Sequence, residues 1–576
     1  MIKEIFGRAI QAFVESAYGS PGLTGVCISR QFQPGEERGS ETWRNLNAAF
    51  LVALCGRSHP RSVEGEKFIK ELGNRPGWKE AARFYDTALH IIRDEVEEVG
   101  GRGQSFRDNL KAFTRWISNP RNLSDRRSAV ERAWKVFFPE GVSLADNDNR
   151  EAQIGIVRKR RAIDITRLNP SPIKDPAREI LFASNVLLTV PGNSSRLSSL
   201  NLPEQLKTAL DEIEKEPQLY WYDHPIPVGI RTEKNELVYG LKGFDSCVGF
   251  EKSRGTIPEE ARVARLLSVS VTHEGLQNLA RPLVMEMFRG VGRLRHIDVY
   301  VWTESETRKL VYEILAPASR HFLDFSEGAL LEKIIGVNGE YGRHYSFLRA
   351  IATFWHLLFD PSVKATFKID LDQVFPQEEL VRETGVSALE HFKTPLWGAE
   401  GVDSNGRKVE LGMIAGAVVN KEDIGSSLFI PDVKYPGEHL EADEWIFFSR
   451  LPQAVSTEAE MMTRYRGNEF DGIKRCIQRV HVTGGTCGIL VKILRKYRPF
   501  TPTFIGRAED QAYLVGVLFH NSGGFLRYVH KDGLIMRHDK EAFAREAIEA
   551  AKTGKLVGDL VRLVLFTYYA GHYPGL

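Results

Sequence analysis

Cysteine is scarce in this chain. Five are spread over 576 residues, Cys27, Cys55, Cys247, Cys476 and Cys487, and no two stand as Cys-x-x-Cys. That spacing argues against a structural zinc site and against a disulfide framework, and it fits a reducing cytosol. Long apolar runs are missing too. None reaches the roughly 18 residues that a membrane span needs. The N-terminus, Met1 to Arg8, breaks its apolar residues with charges and does not read as a signal peptide. The expectation is a cytoplasmic chain without a transmembrane segment. Excess charge of one sign is also absent. The net charge is +2, which gives no bulk electrostatic case for nucleic acid or a membrane surface. The length allows two to four domains.

Residues 1 to about 165 read as a mainly helical domain. Ile2, Ile5, Phe6, Ile10 and Phe13 recur at helical spacing, as do Leu110, Phe113, Trp116 and Ile117. Glu95, Glu97 and Glu98 read as a solvated face. The run Arg158-Lys159-Arg160-Arg161 reads as an exposed helix or linker rather than an anion site. Asn169-Pro170-Ser171-Pro172, with Asp175-Pro176 behind it, is the best linker. A segment over 177–260 follows, with a strand from Ile180 to Val190 and a helix from Leu206 to Glu214. Tyr220-Trp221-Tyr222 is aromatic enough for a pocket wall, although aromatics at this density usually pack in a core.

From Ala264 strands and helices alternate. Leu266 to Val271 is a strand ending at Thr272-His273-Glu274, and Ile297 to Trp302 is another, ending at Thr303-Glu304. Helical patterns follow each. This alternation signals an α/β domain over about 261–545, with ligands beyond the strand C-termini. A helix from Ser346 to Leu358 leads to Phe367-Lys368-Ile369-Asp370-Leu371-Asp372. Two carboxylates at i and i+2 share a face in a strand, and they can share one divalent cation. Alone, Asp-x-Asp is a weak signal, and a solvent-exposed acidic loop is its plainer reading. Three features follow it. Gly484-Gly485-Thr486 precedes a helical run from Ile489 to Tyr497. Glu509-Asp510 stands at a helix start. Leu534 to Met536 is an apolar strand that ends near His538. Residues 546–576 form a helical tail whose stripe of Leu556, Leu560, Leu563, Val564 and Phe566 suits core packing, with a second subunit or a membrane surface as alternatives.

The order Asp370-x-Asp372, Gly484-Gly485-Thr486, Glu509-Asp510, His538 resembles the GT-A-fold nucleotide-sugar glycosyltransferases, nearest their large family 2-like group. The resemblance covers about Ala264 to Asp539. It implies a GT-A-type, Rossmann-like, mostly parallel α/β catalytic domain, joined here to an N-terminal mainly helical domain and C-terminal helices. It implies Mn²⁺ or Mg²⁺ held by Asp370, Asp372 and His538. Donor contacts would come from Thr272, Glu274, Glu304, Arg343 and Asp370, and acceptor contacts from Gly484, Gly485 and Thr486. Asp510 would be the general base of an inverting transfer to an acceptor hydroxyl, with Glu509 orienting the acceptor. The partners implied are a nucleotide-sugar donor and a carbohydrate or other hydroxyl-bearing acceptor. Homo-oligomerisation and peripheral membrane contact stay open. The usual Pro-Thr-x-Asn at the end of the first strand is missing, and so is the Gln-x-x-Arg-Trp of processive synthases.

Three other readings share these residues. Retaining glycosyltransferases also use Asp-x-Asp with a metal-binding histidine. Sugar-nucleotide pyrophosphorylases usually carry a glycine-rich, basic signature near the first strand, whereas Leu267 to Leu276 has only Gly275 and no lysine. A non-catalytic binding protein on the same fold would have no need of Asp370, Asp372, Asp510 and His538 together.

Overall fold

The computed structural model describes residues 2–17, 39–76, 104–117, 119–123, 150–191, 202–216, 225–325, 327–335, 351–430, 457–466, 469–479, 485–497 and 525–539, with single residues and short pieces between 78 and 132. Near the N-terminus the described residues form four helices, α1 (Ile2–Ala17), α2 (Gly39–Leu54), α3 (Ser62–Leu72) and α4 (Gln104–Ile117), the first and last on the apolar spacings that predict them. Their apolar faces bury Phe6, Ile10, Phe50, Phe68 and Leu72. A β-carbon on Gly65 would stand 2.6 Å from the Ala49 carbonyl oxygen, so α2 and α3 approach closely only because that residue has no side chain.

The sheet begins earlier than the sequence suggests. Helix α5 (Arg150–Arg161) runs directly into β1 (Ala162–Arg167), and β1 pairs with two strands from the second half of the chain. The basic run is thus the last turn of a helix and not a linker; Lys159 is exposed, but the run is not exposed throughout. Arg161 is buried, and its Nε donates to Glu460 Oε1 at 2.8 Å. Arg158 Nε donates to Thr463 Oγ1 at 2.9 Å. The proline-rich stretch behind β1 is also anchored. Asn169 Nδ2 donates to the Trp397 carbonyl at 2.7 Å, and Asn169 N to the Pro395 carbonyl at 3.0 Å.

The remaining strands are β2 (Ile180–Thr189), β3 (Ile226–Pro227), β4 (Val263–Val271), β5 (Ile297–Thr303), β6 (Ala365–Ile369), β7 (Gln373–Val374), β8 (Glu400–Asp403), β9 (Lys408–Asn420), β10 (Arg475–Arg479), β11 (Thr486–Leu490) and β12 (Phe525–His538). They order as β5-β4-β2-β6-β11-β9-β8-β1-β10-β12-β7, with β3 beside β2. The expected strands at 180–190, 266–271, 297–302 and 534–538 are all present. β4 and β6 are buried almost throughout and β2 over most of its length, as suits apolar strands in the middle of a sheet. Their core centres on Phe392, whose ring lies 4.6 Å from that of Phe367 and 5.8 Å from that of Phe182.

The Rossmann-like, mostly parallel architecture is overturned. Of the twelve strand pairings among the described residues, seven are antiparallel. Strands β9, β8, β1, β10 and β12 close a five-stranded mixed barrel, because β12 returns to pair with β9 in parallel. The alternation of strand and helix that suggested a parallel sheet is confined to residues 180–369. Beyond it, β8 and β9 join through the short turn 404–407, where Asp403 Oδ1 accepts from Asn405 N and Arg407 N at 2.9 Å. So short a connection permits only antiparallel pairing. The five residues of the β6 neighbour β11 are likewise antiparallel to it.

The parallel part still sets up a place for a ligand. From β2 the chain moves outward to β4 and β5, then returns to form β6 on the other side of β2. The order thus reverses between β2 and β6, where parallel α/β strands leave a crevice beyond their C-terminal ends. Asp370 is the first residue after β6. Among the described residues no helix is long and apolar enough to cross a membrane.

Among the described residues, His273, His391 and His530 are buried in this sheet and its turns. Burial is the main cause that lowers their pKa values, to about 4 for His273 and about 3 for each of the others. His391 is further opposed by Lys531, and His530 by Arg479. The unfolded chain binds protons on these rings near pH 6.5, and the folded chain does so only at far lower pH. Stability should therefore fall as pH drops below 6.5, by about 1.4 kcal/mol per pH unit for each ring. Urea midpoints at pH 7, 6 and 5 check this. Wild type should lose stability steeply, and a His391→Gln chain should show a shallower slope. Equal slopes would remove His391 from the account.

Candidate metal and donor site

The acidic pair sits in a turn rather than in the strand. β6 ends at Ile369, residues 370–372 turn, and Gln373 opens β7. Gln373 N donates to the Asp370 carbonyl at 3.2 Å and closes the turn. The two carboxylates are therefore carried by a turn and not by the alternation of a strand.

Each carboxylate has its own support. β7 pairs with the end of β12, with Gln373 opposite His538. That register places His538 Nε2 2.5 Å from Asp372 Oδ2, with both side chains largely buried. Asp370 is more open. Its Oδ1 lies 3.5 Å from Lys368 Nζ, and its side chain is 38% exposed. On the other side, Thr486 pairs with Ile369, so Gly485 falls opposite Asp370. A β-carbon on Gly485 would lie 2.4 Å from Asp370 Oδ2. A glycine is required there for the carboxylate to take its place.

Helix α6 (Glu204–Ile213) precedes β3, and helix α7 (Glu236–Ser253) follows it. Asn235 caps α7, its Oδ1 accepting from Leu237 N at 3.0 Å. The helix packs hard on the acidic turn. A β-carbon on Gly240 would stand 2.6 Å from the Leu371 carbonyl oxygen, and one on Gly243 2.3 Å from Val374 Cγ1. One turn before Gly240 lies Glu236. Burial holds its carboxyl well above the usual carboxylate range, and the charges of Asp372 and Asp370 push it further, with His538 opposing. Glu236 is thus a third acidic group beside the turn, and the sequence reading missed it. Below the turn, Ser184 Oγ donates to the Ile369 carbonyl at 2.5 Å, and Arg265 donates to Ser184 Oγ at 2.7 Å. These contacts fix the turn from beneath.

The other expected site residues fare differently. Gly485 and Thr486 do come to the acidic turn, but as the entry to β11. The helix starts only at Val491, so the expected glycine turn into a helix from Ile489 is corrected to a turn into a strand. Thr486 is fully buried. Thr272 follows β4 directly, its hydroxyl donating to Thr189 Oγ1 at 2.8 Å and lying 2.8 Å from His273 Nδ1. It ties the ends of β2 and β4 together. Glu274 is exposed just beyond. Glu304 is buried at the start of the helix after β5, and β4 and β2 separate β5 from β6. Arg343, Gly484, Glu509 and Asp510 lie outside the described residues, as do Glu95, Glu97, Glu98, the aromatics at 220–222 and the tail from 540 onward.

Among the described residues no three His, Cys, Asp or Glu side chains converge as a metal cage. His538 is engaged with Asp372, so it orients that carboxylate in this geometry. What remains fits the way Mg²⁺ and Mn²⁺ usually bind, with one or two carboxylates and the remaining places filled by water and substrate phosphates. Gln373 Oε1 is buried with no hydrogen-bond partner, while Gln373 Nε2 turns toward the point by Gly485 that Asp370 Oδ2 also approaches. Compared with known proteins, the chain matches no family model, and no curated protein matches it at significant similarity.

Proposed function

We propose that the chain transfers a glycosyl group from a nucleoside-diphosphate sugar to an acceptor hydroxyl, with a divalent cation held at the Asp370-Leu371-Asp372 turn. The observation that carries this reading is the position of that turn: directly after β6, where the strand order reverses, with Asp372 fixed by His538 and Asp370 fitted against Gly485. Bound there, Mn²⁺ or Mg²⁺ would offset charge gathering on the departing nucleoside diphosphate.

The chain's own residues supply the rest. His538 holds Asp372 in one orientation. The packing of Gly240 and the Arg265–Ser184 pair keeps the turn from moving as charge develops nearby. By resemblance, Asp510 takes the proton of the acceptor hydroxyl as it attacks the anomeric carbon, so the sugar is inverted, and Glu509 orients the acceptor.

A panel of nucleotide sugars, screened with Mn²⁺ for thermal stabilisation and donor hydrolysis, tests the reading. At least one donor should raise the unfolding temperature by several degrees, because a saturating ligand at 100 times its Kd stabilises the folded chain by about 2.7 kcal/mol. If no donor does so, the reading fails. An Asp510→Asn chain that keeps the full transfer rate would remove the base assignment alone.

A further inference from the structure

The last residues of β12 send side chains to opposite faces. His538 meets Asp372. Arg537, one residue earlier, takes the other face, with Val374 of β7 as its pair and α7 packed above. Arg537 Nη2 donates to the Tyr239 hydroxyl on α7 at 3.2 Å, a neutral partner. Among the described residues no carboxylate pairs with this half-buried guanidinium, and its Nε is buried without an acceptor. Arginine drawn out of water is normally paired, because an anion offsets the lost hydration.

A second cation stands beside it. β9 runs parallel to β12, with Asn420 opposite His538, so Lys421 leaves the barrel at the same end. Its backbone N donates to the His538 carbonyl at 2.9 Å. Lys421 Nζ donates to Asp539 Oδ2 at 2.8 Å. Asp539 raises the pKa of that ammonium, Tyr239 adds to the rise, and the charge of Arg537 opposes it. Asp539, Tyr239 and Arg537 thus all lie within electrostatic reach of Lys421. Two cations meet one carboxylate here, and one positive charge is left over. Asp372 does not balance it, since His538 engages that carboxylate on the opposite face of the strand.

We propose that Arg537 and Lys421 form a binding site for a phosphate group, with Tyr239 holding the guanidinium in place. The planar fork of arginine takes two phosphate oxygens, and lysine adds a point charge. A phosphate carries more acceptor oxygens and more charge than a carboxylate, which suits a pair of cations. Two sources share this chemistry: the diphosphate of a donor, and a phosphate on a second molecule. The site goes beyond the reading of the acidic turn and needs no divalent ion.

The test is inorganic phosphate titrated into the full chain by calorimetry, in EDTA so that no divalent ion takes part. Wild type should bind it, and acetate more weakly. Arg537→Gln should weaken phosphate binding about tenfold or more, the worth of one charge-assisted hydrogen bond. Lys421→Met should weaken it about threefold, as suits a more exposed charge. No phosphate binding by wild type, acetate bound as tightly as phosphate, or wild-type affinity in Arg537→Gln would each overturn the proposal. If Arg537→Gln does not fold, Lys421→Met decides, because that side chain is 56% exposed: unchanged affinity overturns the proposal. A nucleoside diphosphate added with Mn²⁺ separates the sources. Competition assigns the phosphate to the donor and additive binding assigns it to a second molecule, and either supports the site. Without metal in the first titration, loss of the metal reading and loss of this site are separate results.

Discussion

Asp372→Asn should lower metal-dependent donor turnover by about 10²-fold or more while the fold persists. The substitution keeps the shape of the side chain and removes its charge. It also changes what His538 meets, since the histidine now holds a carboxylate oxygen at 2.5 Å. Loss of a group that only orients a metal ligand costs about 10–100-fold in affinity or activity, and loss of a ligand itself should cost at least as much. His538→Ala should therefore fall in that lower range and respond more to added Mn²⁺ than Asp372→Asn does. The measurement is donor hydrolysis at rising Mn²⁺. If Asp372→Asn turns over donor within threefold of wild type at low metal, Asp372 has no part in the site.

Glu460→Ala should destabilise the chain by about 3–5 kcal/mol. Glu460 is fully buried, and Arg161 Nε reaches it at 2.8 Å. Arg479 is buried as well. Burial lowers its pKa to about 10, and the charge of Glu460 opposes that fall. One carboxylate therefore balances two buried guanidinium groups, one at the end of α5 and one on β10. Removing one partner of a buried pair strands the other charge, and that penalty sets the magnitude. The contact also joins residues about 300 apart, so its loss should loosen the barrel where β1 and β10 pair. Urea unfolding gives the number. A change under 1 kcal/mol would mean that solvent reaches the arginines. Donor-dependent stabilisation should survive in this variant, because Glu460 belongs to the barrel and not to the acidic turn.

The sequence marked most of what lies in the parallel part. Continuous apolar runs identified β2, β4 and β5, and the lead into Asp370 identified β6. It missed α7 for a physical reason. Gly240, Gly243 and Gly249 weaken a helix by propensity. In the fold they are needed, since Leu371, Val374 and His296 press against them. Those glycines were the available signal of close approach, and with them came Glu236, whose neighbours are more than 130 residues away in sequence. The barrel was illegible for a similar reason. Its closure depends on β1 meeting β8 and β10 and on β12 meeting β9, pairings that no local pattern announces. β1 itself is a six-residue strand attached to a basic helix end. The acidic turn was readable as a spacing, while its partners His538 and Gly485 were readable only as a sequence order. Gln373 carried no signal beyond its nearness to Asp370.

The most direct measurement is an anomalous difference map from crystals grown with Mn²⁺ and a nucleoside diphosphate. The account predicts one strong manganese peak at the turn, within coordination distance of Asp370 or Asp372 and beside density for the diphosphate. A map with the nucleotide bound elsewhere, or with no manganese at residues 370–372, would contradict it.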